Sequence, residues 1–324
     1  MRRLLGMTLA LAALAPGAPP ASAQTDYPAR PVRLVHGFTP GGISDVLART
    51  LGAKLTESMG QPVVVEPRPG AGTTIASDFI AKARADGYTV FLQDITTHAI
   101  NASLYQKLPY DSVRDFTPVT LIAASPLMLL VHPSLPVKSV KELIALAKKH
   151  PNEISHGSSG NGTIVHLAAE MLKAMAGIRM VHVPYKGSPE AITGLLSGEV
   201  AVSFATLPPA LPMVAAGRLR ALAVTTPRRS DAAPELPTMK EAGLKDFELV
   251  LYTGILLPRG APRPVVERLN AEFGKAVRLP DVQKVYAKVG AVPVTSTPEE
   301  FAAHLEAELG KLGKLVRLSG ARVQ

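Results

Sequence analysis

Two segments of this chain present hydroxyls and backbone amides where an ordinary anion site would present lysine or arginine. The first is Phe38-Thr39-Pro40-Gly41-Gly42-Ile43-Ser44-Asp45, directly after the apolar Val32-Arg33-Leu34-Val35. The second is Ser158-Ser159-Gly160-Asn161-Gly162-Thr163, with an apolar helical pattern running on from Ile164. A helix start exposes unpaired N–H groups and the positive end of the helix dipole, so it holds an anion without a basic side chain. Glycine lets the backbone approach the ligand closely. Two such ends, one in each half of the chain, predict a grip on one small carboxylate. The candidate contacts are Phe38, Thr39, Pro40, Gly41, Gly42 and Ser44 in the first half. In the second they are Ser158, Ser159, Gly160, Asn161, Thr163 and His166.

Each candidate has a plainer reading. Ser44 or Asp45 would serve as a helix cap, and Asp45 would oppose an anion, so it caps or orients rather than binds. His166, one turn inside its helix, reads equally as a polar core residue. Asp94, Thr96, Thr97 and His98 follow the strand Tyr88-Thr89-Val90-Phe91-Leu92, which opens their turn on the same cleft edge. Of these, Asp94, Thr97 and His98 are taken as ligand contacts, although His98 would equally tie down the loop. Phe204, Ala205 and Thr206, after Val200-Ala201-Val202-Ser203, form the last wall, and Tyr185 and Lys186 read as exposed loop residues.

Enzyme signatures come close and break. In Gly70-Ala71-Gly72-Thr73-Thr74-Ile75 an isoleucine takes the third glycine position of a dinucleotide loop. Gly157 to Gly162 has phosphate-loop spacing, but Thr163 replaces the lysine. No nucleophile elbow or H-E-x-x-H is present, and Gly157-Ser158-Ser159-Gly160 has the wrong spacing for the former. His166 and Glu170 share a helix face but make no metal set by themselves. With no base beside a nucleophile, no catalytic residue, metal or cofactor is expected, and the chain reads as a binder.

Composition narrows the class further. Cysteine is absent, which excludes disulfides, thiol chemistry and thiolate metal sites. The start has the form of an export signal: Arg2 and Arg3, the apolar Leu4 to Leu14, then Ala21-Ser22-Ala23 as a small-residue cleavage pattern. Residues 1–23 are therefore expected to be removed near Ala23, leaving a periplasmic protein. Without Arg2 and Arg3 the balance is 33 basic against 26 acidic side chains, a formal +7. That charge is scattered and the chain has no tryptophan, so nucleic acid is not an expected partner.

The elements that must position these residues repeat a strand, turn, helix order, which predicts an α/β fold with parallel strands. Val63-Val64-Val65 is a second strand, and Ile43, Val46, Leu47, Leu51 and Leu55 recur at helical spacing. The apolar span Val119 to Val131 is too long for one strand and is broken at Ser125-Pro126, so it is expected to cross between lobes. Residues 24–124 are read as one lobe and 125–224 as the other. The remaining 225–324 supply a return strand, Leu249 to Leu257, and two closing helices, part of which rejoins the first lobe.

At these residues the chain closely resembles the Bug family, the periplasmic solute receptors of tripartite tricarboxylate transporters. The resemblance runs from Tyr27-Pro28-Ala29-Arg30-Pro31 through Phe38-Thr39-Pro40-Gly41-Gly42, Glu66-Pro67-Arg68-Pro69-Gly70-Ala71-Gly72 and His98-Ala99-Ile100-Asn101. It continues through Leu108-Pro109-Tyr110-Asp111, Ser159-Gly160-Asn161-Gly162-Thr163, His182-Val183-Pro184-Tyr185-Lys186-Gly187 and Gly217-Arg218-Leu219-Arg220-Ala221-Leu222. It implies a two-lobed periplasmic binding protein fold of the type II kind, each lobe a mainly parallel sheet flanked by helices. It implies a monomeric receptor that closes on a small carboxylate and hands it to inner-membrane permease subunits. A sensor feeding a signalling partner shares the same site chemistry, and an exported enzyme using His98 or His166 as base is the remaining alternative. The chain departs from the family pattern at His36-Gly37, at Gln93-Asp94-Ile95 and at Ala205, where an acidic residue is common. Ala205 removes a partner for a ligand amine or hydroxyl, which favours a plain or aromatic carboxylate.

Overall fold

The computed structural model describes residues 27–319; the export signal and its cleavage point lie outside them. The first half opens with β1 (Val32–His36), α1 (Ile43–Met59), β2 (Val63–Pro67), α2 (Thr74–Ala81), β3 (Thr89–Asp94) and α3 (Ile95–Leu104). The strands are short, apolar and β-branched, and β1 pairs in parallel with both β2 and β3, with Leu34 opposite Val65 and Val90. Parallel neighbours need a crossover, and here the helices supply it.

β4 (Phe116–Ser125) and β5 (Leu127–Val131) then divide the long apolar span at Pro126. Proline has no N–H to give to a ladder, so the chain leaves one sheet there and enters the other. α4 (Val140–Lys149), β6 (Ser155–Ser158), α5 (Ile164–Ala176), β7 (Val181–Pro184), α6 (Ser188–Leu196), β8 (Val202–Thr206), α7 (Leu207–Ala215) and β9 (Arg220–Val224) follow. The chain returns through β10 (Leu251–Pro258) and ends in α8 (Arg263–Val277), α9 (Pro280–Lys288), β11 (Val292–Pro293) and α10 (Pro298–Ser319). The tail thus contains three helices where two were expected, because Pro280 starts a new one right after α8.

Two sheets result, with strand orders β11-β4-β10-β3-β1-β2 and β7-β6-β8-β5-β9. The expectation of mainly parallel sheets holds for the strand–helix–strand part of each lobe. It gives way at the crossing strands, because β10 runs antiparallel to β3 and β4, and β5 antiparallel to β8 and β9. A strand that arrives from the other lobe has no crossover helix of its own and enters in the opposite direction.

The two crossings are tied side by side. Leu127 N–H donates to Thr225 Oγ1 at 2.9 Å, Thr225 N–H to Leu127 O at 3.0 Å, and Leu249 N–H to Thr225 O at 3.0 Å. α10 packs along α3 and reaches α5, so the tail helix touches both lobes. Phe301 of α10 is fully buried. This arrangement sets the carboxyl ends of β1, β3, β6 and β8 around one seam, where ligands of open α/β sheets bind.

Candidate functional site

Five helix starts meet at that seam. A cavity of about 20 Å³, room for one water-sized group, is lined by Gly42, Ile43 and Ser44 of α1, Asp94 of α3, Ile164 and Val165 of α5, Ser188 of α6 and Thr206 of α7. Phe38, Thr39, Ser159 and Leu251 complete it, and none of these residues is Lys, Arg or His. Outside it a pocket of about 370 Å³ shares Phe38 and Ser159 and adds Gly70 to Thr73, Tyr105, Gly160, Asn161 and Pro184 to Lys186.

The first turn is held from behind. Gly41 adopts φ 88°, a left-handed conformation that favours glycine, and Gly42 begins α1 with no side-chain cap. Asp45 turns away from the cavity: Oδ2 accepts from Gly41 N–H at 3.1 Å and Oδ1 from Arg49 Nε at 2.9 Å, with His36 Nε2 3.4 Å away. Burial pushes the Asp45 carboxyl up, but Arg49 and the Gly41 amide outweigh it and hold it below its ordinary value. The acidic residue therefore orients the turn and leaves the first amides of α1 free.

The second turn is wired to itself. Thr163 Oγ1 donates to Gly160 O at 2.8 Å and accepts from Ser159 Oγ at 3.1 Å and His166 N–H at 3.3 Å, capping α5. Gly160 and Gly162 take φ 123° and 82°. At the start of α7, Thr206 occupies the cap position, yet its hydroxyl is buried without a hydrogen-bond partner. The reason is local: the two positions whose N–H groups it would cap are Pro208 and Pro209, which have none. Ser44 and Ser188 likewise make no side-chain hydrogen bond among the described residues. Three residues from two lobes whose hydroxyls have no partner among the described residues thus line one cavity.

The lobes touch around this cavity. Ile164 N–H of α5 donates to Thr97 Oγ1 at 3.1 Å, and Thr39 Oγ1 donates to Glu190 Oε2 at 3.2 Å. Tyr105 OH lies 3.4 Å from Asn161 O. Each exposed helix end contributes about 0.3–1 kcal/mol to a bound anion, and about 2 when partly buried. Useful affinity therefore requires several ends at once, which only a closed pair of lobes supplies.

Known proteins share this fold. The family model described as tripartite tricarboxylate transporter family receptor, TctC, matches residues 47–320. The chain belongs to this family. It is 36% identical to protein BugT of Bordetella pertussis over 325 aligned positions, covering 100% of this chain and 99% of BugT. The structure of R. palustris Rpa4515 with adipate superposes with a TM-score of 0.89 at 38% identity, covering 92% of this chain and 100% of that one. MatC from Rhodopseudomonas palustris with bound malate gives 0.85 at 30% identity, with 90% and 100% covered.

Not every expected contact reaches the cavity of this receptor. Phe38, Thr39, Gly42, Ser44, Asp94, Ser159 and Thr206 line it, while Gly160 and Asn161 line the outer pocket. Pro40 and Gly41 are exposed, and Gly41 acts through its bond to Asp45. Phe204 stacks on Phe247 at 6.0 Å, and Ala205 packs into the second lobe's core beside Met128 and Ile192, because alternate residues of a strand face opposite sides. The Ala205 side chain therefore faces that core and not the cavity. His98 is fully buried in the first lobe, with Nε2 2.9 Å from Ser112 O and Nδ1 3.5 Å from Gln93 Nε2. Thr97 acts one step back, through Asp94 and Ile164. Ile43, Ile164, Val165, Ser188 and Leu251 were not expected; for Ser188 the signal was Gly187-Ser188-Pro189, a helix start with proline inside its first turn.

His166 belongs to a stack behind the second turn. Its ring lies 4.2 Å from that of His182, which lies 4.8 Å from that of His156, all nearly parallel. Ser158 Oγ is 2.7 Å from His182 Nε2. Among the described residues no three His, Asp or Glu side chains are placed to hold a metal ion. Burial lowers His166 to about 4, and burial with the neighbouring His166 lowers His182 to about 3. Burial pushes the Glu170 carboxyl up, but His156 and the Lys173 ammonium outweigh it and hold it at about 2.

Two experiments follow from this geometry. Gly187 has φ 178°, an extended backbone open to any residue, but a Cβ there would collide with Thr39 Oγ1 of the other lobe. Gly187→Ala should leave the unfolding midpoint within about 1 °C and weaken binding of the receptor's carboxylate at least about ten-fold; equal affinity by calorimetry would show that this contact is not part of closure. The second concerns pH. A histidine held neutral in the fold is protonated only in the unfolded chain between its folded value and the ordinary 6.5. His166 therefore withdraws stability as pH falls from about 6.5 to about 4, whereas Asp94, raised to about 6, adds stability as pH falls through that value. His166→Gln should flatten the fall of unfolding free energy over that window by up to about 1.4 kcal/mol per pH unit. Parallel curves for the two proteins in urea titrations would contradict it.

Proposed function

We propose that the protein is a periplasmic receptor that captures a small dicarboxylate between its lobes and delivers it to a membrane permease. The observation that carries this reading is the meeting of helix starts and partnerless hydroxyls from both lobes on a cavity with no basic side chain. One carboxylate end reaching this cavity, with the rest of the ligand in the adjoining pocket of about 370 Å³, accepts hydrogen bonds from amides and hydroxyls, and bonds to a charged group are the strong ones. The adipate and malate in the two related structures support a dicarboxylate of four to six carbons. Membership of the tripartite tricarboxylate transporter receptor family supports delivery to a membrane permease. Release follows lobe opening, since each lobe alone offers too few helix ends to retain an anion.

The test joins binding to uptake. In a calorimetric screen against dicarboxylates, aromatic carboxylates and neutral sugars, a saturable signal should come from the dicarboxylates alone, and deletion of the gene should abolish uptake of the same compound. A sugar as the preferred ligand would overturn the reading. Thr206→Val provides the residue-level check. Its hydroxyl has no partner in the fold, so its loss should leave stability unchanged or raised. Its loss from the site should cost about 1.5–3 kcal/mol of binding, the worth of a hydrogen bond to a charged group. Unchanged affinity by calorimetry would remove Thr206 from the site.

A further inference from the structure

Asp94 is an anion placed where an anion is to be bound. It is 1% exposed and lines the inner cavity. Its partners are Thr97 N–H, which donates to Oδ1 at 3.0 Å, and Thr97 Oγ1, which donates to Oδ2 at 2.5 Å. Among the described residues no Lys, Arg or His makes an ion pair with it, and Glu308, a charge that acts on it, is also negative. Buried carboxylates are ordinarily paired with a cation, because an unpaired charge is expensive out of water. Capping α3 does not require the charge, since asparagine caps a helix as well.

The carboxylate is also not used up. An ionised carboxylate accepts about four hydrogen bonds, and the amides and hydroxyl of Thr96 and Thr97 leave at least one lone pair directed elsewhere. The Thr97 hydroxyl that donates to it also accepts Ile164 N–H from the second lobe. Asp94 therefore sits on the seam itself, where a ligand held by α1 and α5 passes directly beside it. A ligand methylene at that place would leave the charge unpaired, and a second carboxylate would repel it. A hydroxyl or ammonium would satisfy it.

We propose that Asp94 determines specificity by accepting a hydrogen bond from a donor group on the ligand, so that this receptor selects dicarboxylates carrying a hydroxyl or ammonium group over the plain diacids of the same length. The inference rests on the dicarboxylate-receptor reading and narrows it. It also reverses the preference for plain carboxylates drawn from Ala205, whose side chain lies in the core.

The experiment compares matched ligands on the full mature protein by calorimetry. One series is succinate, malate and aspartate; the other is adipate, 2-hydroxyadipate and 2-aminoadipate. In the wild-type protein a donor-bearing member should bind at least about ten-fold more tightly than its plain partner, and whether it is the hydroxyl or the ammonium member identifies the donor. Asp94→Asn keeps the cap and removes the charge, so it should fold normally and erase that preference. If the plain diacid binds wild-type protein as tightly as both substituted ones, or Asp94→Asn keeps the preference intact, the role assigned to Asp94 is wrong while the receptor reading stands. If no member of either series binds, the dicarboxylate reading fails and this inference with it. The wild-type comparison decides the matter even if the variant does not fold.

Discussion

An anion held without a basic side chain must be held by many weak dipoles at once. One exposed helix end supplies under about 1 kcal/mol, so the site exists only where several ends converge and water is shut out. The whole architecture follows from that constraint. Two strand–helix–strand units aim their helix starts at a common seam, and the chain crosses between them twice. The paired crossings at Pro126 and Thr225 keep the two halves in register, and α10 spans both.

The same constraint explains features that look wasteful in isolation. Thr206 carries a cap hydroxyl in front of two prolines that cannot use it. Asp45 is drawn back by Arg49 and the Gly41 amide so that its charge does not compete at the start of α1. The histidine stack lies behind the second turn, and burial keeps two of its members, His166 and His182, neutral, so they add shape without adding a cation. Each spends local stability on keeping the cavity's donors free, which is the usual trade at a binding site.

Much of this was legible in the residues. The glycine turns at 38–45 and 158–163 run into helical patterns, and α1 and α5 start at Ile43 and Ile164 within or just after them; the first follows an apolar strand, whereas the strand before the second, Ser155–Ser158, is polar. What was less legible has physical reasons. α3 begins Ile95-Thr96-Thr97, a β-branched run with poor helix propensity, and it forms because Asp94 caps it and α10 packs along it. α7 contains Pro208, Pro209 and Pro212, which weaken its helical pattern, but Pro208 and Pro209 fall in the first turn, where proline is tolerated. Histidine spacing says nothing about which way a ring points, so His98 and His166 were equally plausible as ligands or as core. The structure puts both in buried networks. Alternation along β8 separates Ala205 from Phe204 and Thr206, and Thr206 reaches the seam because it ends the strand and caps α7.

The central claim is that amides at helix starts of both lobes hold the ligand together. Backbone amide NMR of the mature protein, with and without a saturating dicarboxylate, tests it most directly. The N–H resonances of Ser44, Val165 and Ser188 should move downfield together, since each gains a hydrogen bond to a charged oxygen at the same moment. Shifts confined to one lobe, or to the outer pocket around Lys186, would contradict it.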